Sequence, residues 1–359
     1  MASEFKKLAI ICEEFAVPSP AQQLVDRFLI GYPRDGQFHR AAELKIAVSL
    51  AGSENSAELQ RRHKDFPDRF WDGLTRDADA VLIVLRNRGA VARAGLTNVL
   101  ESLRPGTPVF IHGALAMTGT QALGLRRFSE SRNIPLVSGS ALSVTWRLPE
   151  IDLPQDTPLK EALIVVQGEF LNGEIDALES LLPIIERRRG GESGVRRIRY
   201  LQDAEVWRAG DKKEWSWPLL ASAISRSDSP QGDPVTDGRT QDLVGLGLVP
   251  KLARHPRAWL LDHRDGLRTT LLVLDDVVAD YNFAVQSREG KIWSAQLYRP
   301  PRPAEHEYSR LAEVLEDYFG TGKPPWSIDR SCLIAGLLEA FTRTTNHTGK
   351  WIDTLNLTP

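Results

Sequence analysis

The feature that most constrains this chain is the alternation of short apolar runs with amphipathic segments over its first 150 residues. Continuous apolar runs predict strands that are buried on both faces, as in parallel sheets. The predicted strands are Leu8–Cys12, Leu44–Leu50, Ala80–Leu85, Pro108–Ile111 and Pro135–Val137. The predicted helices are Pro20–Ile30, Phe66–Thr75, Val91–Leu103 and Gln121–Arg132. Because strands that alternate with helices form right-handed crossovers, we predict a Rossmann-like parallel sheet.

A proline-rich stretch at residues 148–154 interrupts the alternation and predicts a domain boundary near residue 150. After it, helices mix with strands, and an Asp265-Gly266 pair marks a hairpin turn. We therefore expect a Rossmann-like domain at 1–150 and an α+β open-sheet domain at 151–359, with the last helix packing back towards the first domain. The predicted elements of the second domain are strands Ala162–Val166, Arg196–Leu201, Trp259–Arg264 and Leu267–Leu274 and helices Ile175–Arg188, Pro303–Phe319 and Ser331–Thr344.

Composition excludes several classes of function. The 45 basic and 47 acidic residues give a net charge of −2, which provides no overall field for nucleic acid or an anionic membrane. We expect the basic runs at 187–189 and 196–197 to be solvated. The two cysteines, Cys12 and Cys332, predict neither a disulfide framework nor a paired-cysteine metal site, and no histidine has ligand spacing to another, so we expect no metal. With no signal sequence and no apolar run near ~20 residues, the expected location is the cytoplasm, away from membranes.

The first strand–helix turn lacks the glycine fingerprint of dinucleotide-binding domains. That fingerprint, GxGxxG, lets the backbone approach the pyrophosphate, and an acidic residue at the end of the second strand binds the ribose. Here the loop from Cys12 to Pro20 contains no glycine and places Glu13 and Glu14 where the phosphates would lie. The second strand ends in Leu-Ala-Gly-Ser, with Glu54 only nearby. Two explanations stay open: a degenerate nucleotide site, or an NAD site with an unusual loop.

Several sequence phrases are similar to those of the Gfo/Idh/MocA oxidoreductase family, over essentially the whole chain. An apolar strand runs into residues 108–116, where the family has Glu-Lys-Pro-Leu-Ala, and residues 173–179 resemble its Gly-x-x-His-Ala-Leu-Asp helix. The C-terminal phrases at 322–324, 328–330 and 337–340 also resemble the family ending. Within the family, the segments 139–147 and 186–195 resemble a poorly characterised, divergent branch. The resemblance implies a Rossmann-like half followed by an open-sheet half that binds substrate.

The resemblance also shows where this chain departs from the family. Classical members resemble NAD(P)-dependent sugar or polyol dehydrogenases with a lysine and a histidine near the reacting carbinol. The lysine position is Gly113 here, with His112 in place of the preceding glutamate. The histidine position is Asp176, and the family aspartate is Glu179. These changes affect the cofactor site and the acid/base pair together.

The candidate catalytic residues are His112, Asp176 and Glu179. His112 follows a buried parallel strand, at the end where such sheets bind ligands, and an imidazole exchanges protons near neutral pH. Asp176 and Glu179 lie one turn apart on a helix face and could orient it. The alternatives are a structural histidine and a helix start that is merely rich in acids.

The candidate substrate-binding residues are Arg147, Trp146 and Glu13. Arg147 could bind an anionic group, and Trp146 could stack on a sugar-like ring; domain-interface packing is the alternative for both. At most one of Glu13 and Glu14 should point into the cleft.

These observations favour an enzyme that has lost NAD(P) redox chemistry and performs acid–base chemistry, such as elimination, isomerisation, cyclisation or hydrolysis, on a small polar metabolite between the domains. We accordingly expect no cofactor. One alternative is an NAD(P)-dependent sugar or polyol dehydrogenase with an atypical phosphate loop. Another is a non-catalytic scaffold or partner subunit. A homo-oligomer, most simply a dimer, is expected to form through the C-terminal sheet.

Overall fold

The computed structural model describes residues 6–41, 43–50, 56–73, 75–85, 94–229, 242–300 and 306–354. It divides into two compact units. Unit 1 comprises residues 1–144 and 299–335, and unit 2 comprises residues 145–298 and 336–359. Among the described residues, every helix is too short or too polar to cross a lipid bilayer.

Unit 1 is a parallel sheet between helices. Its strands are β1 (Lys7–Cys12), β2 (Tyr32–Arg34), β3 (Gln37–His39), β4 (Lys45–Leu50), β5 (Ala80–Val84), β6 (Val109–His112) and β7 (Leu136–Gly139). Its helices are α1 (Pro20–Leu29), α2 (Ala57–Asp65), α3 (Ala94–Ser102), α4 (Gly119–Ser131), α9 (Glu307–Thr321) and the first part of α10 (Ile328–Thr344). The main sheet has the order β4-β1-β5-β6-β7, with every pair parallel, and β2 and β3 form a separate hairpin.

A sixth segment extends this sheet and gives it the dinucleotide-binding strand order. Phe70 forms a parallel bridge with Ile46 of β4, outside the named strands. The members of the sheet are numbered 1 to 6 in chain order as β1, β4, the Phe70 segment, β5, β6 and β7. Their spatial order across the sheet is then 3-2-1-4-5-6, the order of the Rossmann fold. The predicted Rossmann-like architecture of the N-terminal part is thus confirmed.

The two faces of the unit 1 sheet have separate cores because side chains alternate along each strand. Leu8 and Ile10 of β1 pack with α1 and α9, whereas Ala9 packs on the opposite face with α3 and α4. The chain therefore leaves β1 for a helix on one face and leaves β5 for a helix on the other. This change of face between β1 and β5 is the topological switch point, where open α/β sheets bind ligands.

Helix α1 forms as its sequence predicts. The Ser19 hydroxyl accepts the backbone N–H of Gln22 at 3.2 Å, and Pro20 occupies the first turn. Its apolar stripe, with Leu24 and Phe28, is buried in the core.

The predicted helix Phe66–Thr75 is wrong. The helix of this region is α2, nine to ten residues earlier, and the predicted segment instead begins with a short 3₁₀ turn, Pro67–Arg69. Phe66, Phe70 and Trp71 mimic helical spacing, but Phe70 pairs with β4. Helix α2 buries only Leu59 and Arg62, so its sequence shows almost no apolar stripe.

Unit 2 is built on a mixed sheet. Its strands are β8 (Arg147–Leu148), β9 (Leu159–Val166), β10 (Val195–Gln202), β11 (Arg257–His263), β12 (Arg268–Val273), β13 (Tyr281–Ser287), β14 (Ile292–Leu297) and β15 (Trp351–Asp353). Its helices are α5 (Asn172–Ile185), α6 (Ala204–Asp211), α7 (Trp217–Ile224), α8 (Val249–Leu252) and the last part of α10. The order is β15-β10-β11-β12-β9-β13-β14-β8, and only the β12–β9 pair is parallel. The predicted α+β open sheet, joined by a hairpin at Asp265-Gly266, is confirmed.

Helices of the same unit cover both faces of this sheet. On one face, Trp259 of β11 stacks on Phe341 of α10, with ring centroids 4.1 Å apart, and its indole donates to Glu174 of α5. On the other face, α6 and α7 pack with Trp215 against Leu260 and Ala284. A contact between copies of this chain through the sheet would therefore have to use its edges or the outer surfaces of these helices.

Candidate active site

An apolar cavity of about 100 Å³ lies at the switch point of unit 1. The carboxyl ends of β1, β5 and β6 form its floor, and the first turns of α3 form its wall. Its lining residues are Ile11, Cys12, Glu13, Ile83, Val84, Leu85, Gly95, Leu96, Val99 and Ile111. Pockets for whole drug-sized ligands are roughly 300–1,000 Å³, so this cavity has room for one flat ring.

The cavity thiol is chemically quiet. Burial raises the pKa of Cys12 to about 12, so the group stays a neutral thiol at physiological pH. Cys12 therefore contributes an apolar wall to the cavity.

The loop between β1 and α1 does not form a phosphate cradle. Phe15 is buried in the unit 1 core, and its carbonyl accepts the Ser56 hydroxyl at 2.5 Å. At the start of α1, the N–H groups of Gln22 and Gln23 are bound by the side chain and the carbonyl of Ser19, and Pro20 has none to offer. The cavity therefore fits the ring of a dinucleotide, whereas this glycine-free loop does not fit its pyrophosphate. The corresponding end of the second strand, beyond Leu50 and including Glu54, lies outside the described residues.

His112 is the last residue of β6 and lies two strands from Glu13, at the same edge of the sheet. Its side chain is buried, and its ring centroid is 5.8 Å from that of Tyr308. Gly113 follows with φ +116° and donates to the carbonyl of Gly139 at 2.9 Å. The structure thus places His112 where the carboxyl ends of parallel strands present ligand-binding groups.

The start of α9 adds residues that sequence reasoning missed. Tyr308 and Glu307 are both buried in its first turn, and the Arg299 guanidinium is 3.7 Å from Glu307. Arg27 of α1 lies over the Tyr308 ring at 5.9 Å. Glu307 and Tyr308 lie eight and nine residues after the chain re-enters unit 1 at Arg299, and this position would have pointed to them. The re-entry itself could not be inferred from the local sequence pattern.

Asp176 lies in the first turns of α5 in unit 2, and its partner is Tyr281. The phenol of Tyr281 donates to Asp176 Oδ2 at 2.9 Å, and both side chains are buried. Tyr281 begins β13, a strand that the sequence prediction omitted. Its neighbour Asn282 pairs with Val165, so this pair lies at the carboxyl end of β9.

Two further carboxylates of α5 are buried. Glu179 is 1 % exposed, one turn beyond Asp176. Glu174 is fully buried and accepts from Arg257 at 3.3 Å and from the Trp259 indole at 3.2 Å. The acidic start of this helix is thus enclosed.

Arg147 and Trp146 lie at the β8 edge of unit 2. The Arg147 guanidinium binds Asp152 at 2.5 Å, and the Trp146 ring is 6.5 Å from that of Tyr298. Trp146 is 45 % exposed, which suits a stacking surface. An anion would have to compete with Asp152 for Arg147.

The structure therefore groups the candidates within each unit. Glu13 and His112 share the carboxyl edge of the unit 1 sheet, whereas Asp176 and Glu179 share α5 of unit 2 with Tyr281 nearby. Trp146 and Arg147 lie at a separate edge of the unit 2 sheet. Across the described ranges, no group of three or more His, Cys, Asp or Glu side chains is arranged to hold a metal ion.

The two units and their strand orders define a two-part α/β fold. Solved structures with this fold include GenD2 from gentamicin A biosynthesis in complex with NAD, with a TM-score of 0.59 and 12% identity over 98% of this chain and 97% of that one. Another is myo-inositol dehydrogenase from Lactobacillus casei in complex with NAD(H) and myo-inositol, with a TM-score of 0.58 and 12% identity over 99% and 98%. A third, myo-inositol 2-dehydrogenase from Lactobacillus plantarum, has a TM-score of 0.56 and 11% identity over 97% and 99%. No family model and no curated protein matches the sequence.

The predicted Gfo/Idh/MocA fold is confirmed by these neighbours, which share it along nearly the whole chain. Identities of 11–12% establish the shared fold alone.

The expectation of no cofactor is wrong. It rested on the missing glycine fingerprint, but two of the neighbours were solved in complex with NAD or NAD(H). The physical reason is that strand order, and not the glycine loop, creates the switch-point crevice, and this chain retains that crevice. The neighbours therefore support the dehydrogenase alternative better than the non-redox interpretation.

Proposed function

We propose that this chain is a nicotinamide-dinucleotide-dependent dehydrogenase. The observation that carries the proposal is the ring-sized apolar cavity at the switch point of a 3-2-1-4-5-6 sheet. Nicotinamide and adenine are flat and largely apolar on their faces, which suits walls such as Ile83 and Leu96. The pyrophosphate would be held by groups other than the first loop.

We propose a small polyhydroxy compound as the substrate. A fold neighbour was solved with myo-inositol. Buried carboxylates and phenols, as in the Asp176–Tyr281 pair, are the groups that bind hydroxyls, because a carboxylate accepts the O–H hydrogen and a phenol can both donate and accept.

When bound, a nicotinamide would accept the hydride. Residues of this chain would then have to accept the proton. With Gly113 at the lysine position, we propose Asp176 and His112 for this task, with Glu179 supporting Asp176 from the same helix face. Trp146, Arg147 and Glu13 are proposed to contact substrate.

The proposal is tested by titrating NADH and NADPH into the wild-type chain while recording nicotinamide fluorescence. We expect a micromolar dissociation constant for one of them. In Gly95→Phe, a side chain is added at the cavity, where a Cβ meets open space, so the fold should persist. We expect binding to weaken by about tenfold or more, because the ring and the cofactor compete for one volume.

The matched control is Gly124→Phe on α4. Gly124 is also an exposed helical glycine with open space at its Cβ, but it does not line the cavity. The Gly124→Phe variant should bind NADH or NADPH as tightly as the wild type does. Absence of binding to the wild type, or equal loss in both variants, would contradict the proposal.

A further inference from the structure

We propose that unit 2 binds a calcium ion where the segment after α7 meets the β13–β14 strand pair. The side-chain ligands are Asp228, Asp280, Asn282 and Gln296, and water completes the coordination shell. The site lies entirely within unit 2 and is independent of the proposed dehydrogenase function.

Two carboxylates of this region converge on one point. Gln296 Nε2 lies 2.9 Å from Asp228 Oδ2 and 2.8 Å from Asp280 Oδ2, so the two oxygens are no further apart than the length of two hydrogen bonds. Among the described residues, neither carboxylate forms an ion pair. Arg226, two residues before Asp228, instead donates to the Ser294 hydroxyl at 3.0 Å. Two like charges therefore face one place that a cation would stabilise.

A buried oxygen beside these carboxylates lacks a partner. Asn282 is fully buried, and its amide Nδ2 donates to Asp280 Oδ1 at 2.5 Å. The other atom of the same amide, Oδ1, has no hydrogen-bond partner in the part of the chain that the structure describes. Because buried polar atoms are nearly always satisfied by protein, water or an ion, this oxygen indicates a ligand next to Asp280.

The fold holds these groups against one face of the sheet. Asn282 and Gln296 are directly paired across β13 and β14, and both are buried. The Ser227 hydroxyl lies 2.9 and 3.0 Å from the two oxygens of Asp280, and the backbone N–H of Asp228 donates to the same carboxylate at 2.7 Å. Asp228 itself is exposed, so a cation can enter from solvent.

The ligand set suits calcium because it consists of oxygen atoms alone. Ca²⁺ accepts about six to eight oxygen ligands in flexible geometry, whereas Mg²⁺ demands a near-ideal octahedron. Half a turn of the Gln296 amide exchanges Nε2 for Oε1 and so converts a donor into a ligand. With two carboxylates, we expect a dissociation constant on the order of 0.1–1 mM. The sequence-based expectation of no metal considered only cysteine and histidine ligands, and this site uses neither.

The site is tested by isothermal titration calorimetry of calcium chloride into the full chain, after treatment with EDTA and its removal by dialysis. We expect the wild type to bind one Ca²⁺ and to unfold at a higher temperature when calcium is saturating. In Asp228→Asn, the affinity should fall by about tenfold or more, because one of the two charged ligands is lost. Asp228 is exposed, and its carboxylate accepts from Gln296, so this variant should fold.

The matched control is Asp276→Asn. Asp276 is also an exposed aspartate of unit 2, four residues before Asp280, but it pairs with Arg254 at 3.5 Å. This variant should bind calcium as tightly as the wild type does. The inference would be overturned by a wild type that gives no saturable calcium binding, by equal affinities in Asp228→Asn and the wild type, by equal weakening in both variants, or by tighter binding of Mg²⁺ than of Ca²⁺. Because these measurements do not involve NADH, their failure is distinct from failure of the Gly95 titration.

Discussion

Gly113 shows how one backbone angle decides what a site can contain. Its φ of +116° lies where side-chain-bearing residues are strained, and it directly follows His112 at the end of β6. A lysine at this position would have to change the local backbone. The backbone of this turn therefore disfavours the lysine that the family resemblance places at this position. Restoring that lysine would require the backbone to change as well as the side chain.

We predict that Gly113→Lys lowers the free energy of unfolding by about 1–3 kcal/mol, the cost of holding a side chain in a disfavoured φ region. Urea denaturation measures the change. Gly124→Lys, in an open helical position, should be neutral or gain up to about 1 kcal/mol. A Gly113→Lys protein as stable as the wild type would show that the turn adapts.

Individual site residues were only partly predictable. His112 and Asp176 were proposed because a residue at a strand end or in a helix first turn can be recognised locally. Tyr281 and Tyr308 were missed, because their partners lie 105 residues away for Asp176 and 196 residues away for His112. Sequence pattern shows which face a residue occupies, but not which distant residue meets it.

At the scale of elements, the segment from Glu186 to Val195 departs most from its prediction. The arginine run was expected to be solvated, but Arg188 is 2 % exposed. It binds Glu192 at 3.0 Å and Asp265 at 2.6 Å, and His263 lies 3.0 Å from Glu192. This network fastens the glycine-rich turn after α5 to the β11–β12 hairpin.

The network predicts a pH-dependent stability. Burial opposes ionisation of Glu192, but hydrogen bonds and charges from His263 and Arg188 outweigh it and hold the pKa of Glu192 well below its usual range. Its folded pKa is therefore lower than its unfolded pKa of about 4.3, so the stabilisation is present above that pH and is lost as the pH falls.

We predict that Glu192→Gln costs about 3 kcal/mol near pH 7, because it removes one of the two charged partners of the buried Arg188. The difference from the wild type should shrink as urea denaturation is repeated at lower pH, towards pH 3. Glu43→Gln is the control, since Glu43 pairs with Lys6 at the exposed surface, and should leave stability unchanged. A pH-independent difference would argue against the ionised network.

Elements with a strong sequence pattern were predicted accurately, whereas elements with a weak pattern were missed. Helix α1 has a cap, a proline and a clear stripe, and it was placed to within one residue. Helix α2 is polar around most of its circumference and was missed, while the aromatic residues at 66, 70 and 71 suggested a helix that does not exist. Strands β13 and β14 were omitted because their alternation is broken by polar residues such as Asn282 and Gln296, both of which are buried.

At the scale of the whole molecule, strand order is more informative than any motif. The alternation of strands and helices was enough to predict a parallel sheet, but the order of its strands appears only in three dimensions. That order includes the Phe70 segment and creates the switch point between β1 and β5. The glycine fingerprint is one device for holding phosphates, so its absence alone did not justify excluding a dinucleotide.

The return of α9 to unit 1 was likewise beyond local pattern. It brings Tyr318 of α9 onto the sheet, where its phenol donates to the carbonyl of Pro135 at 2.7 Å. Helix α9 thereby completes the core on the α1 face. Nothing in the sequence of α9 distinguishes it from a helix of unit 2.

The most direct test of the central claim is a crystal structure of the protein grown with saturating NADH. We predict density for one ring of the cofactor at the carboxyl ends of β1 and β5, against Leu96 and beside Gly95. Phosphate density should lie away from the Glu13–Glu14 loop. An empty switch point with both NADH and NADPH, or a dinucleotide bound elsewhere on the chain, would contradict the account.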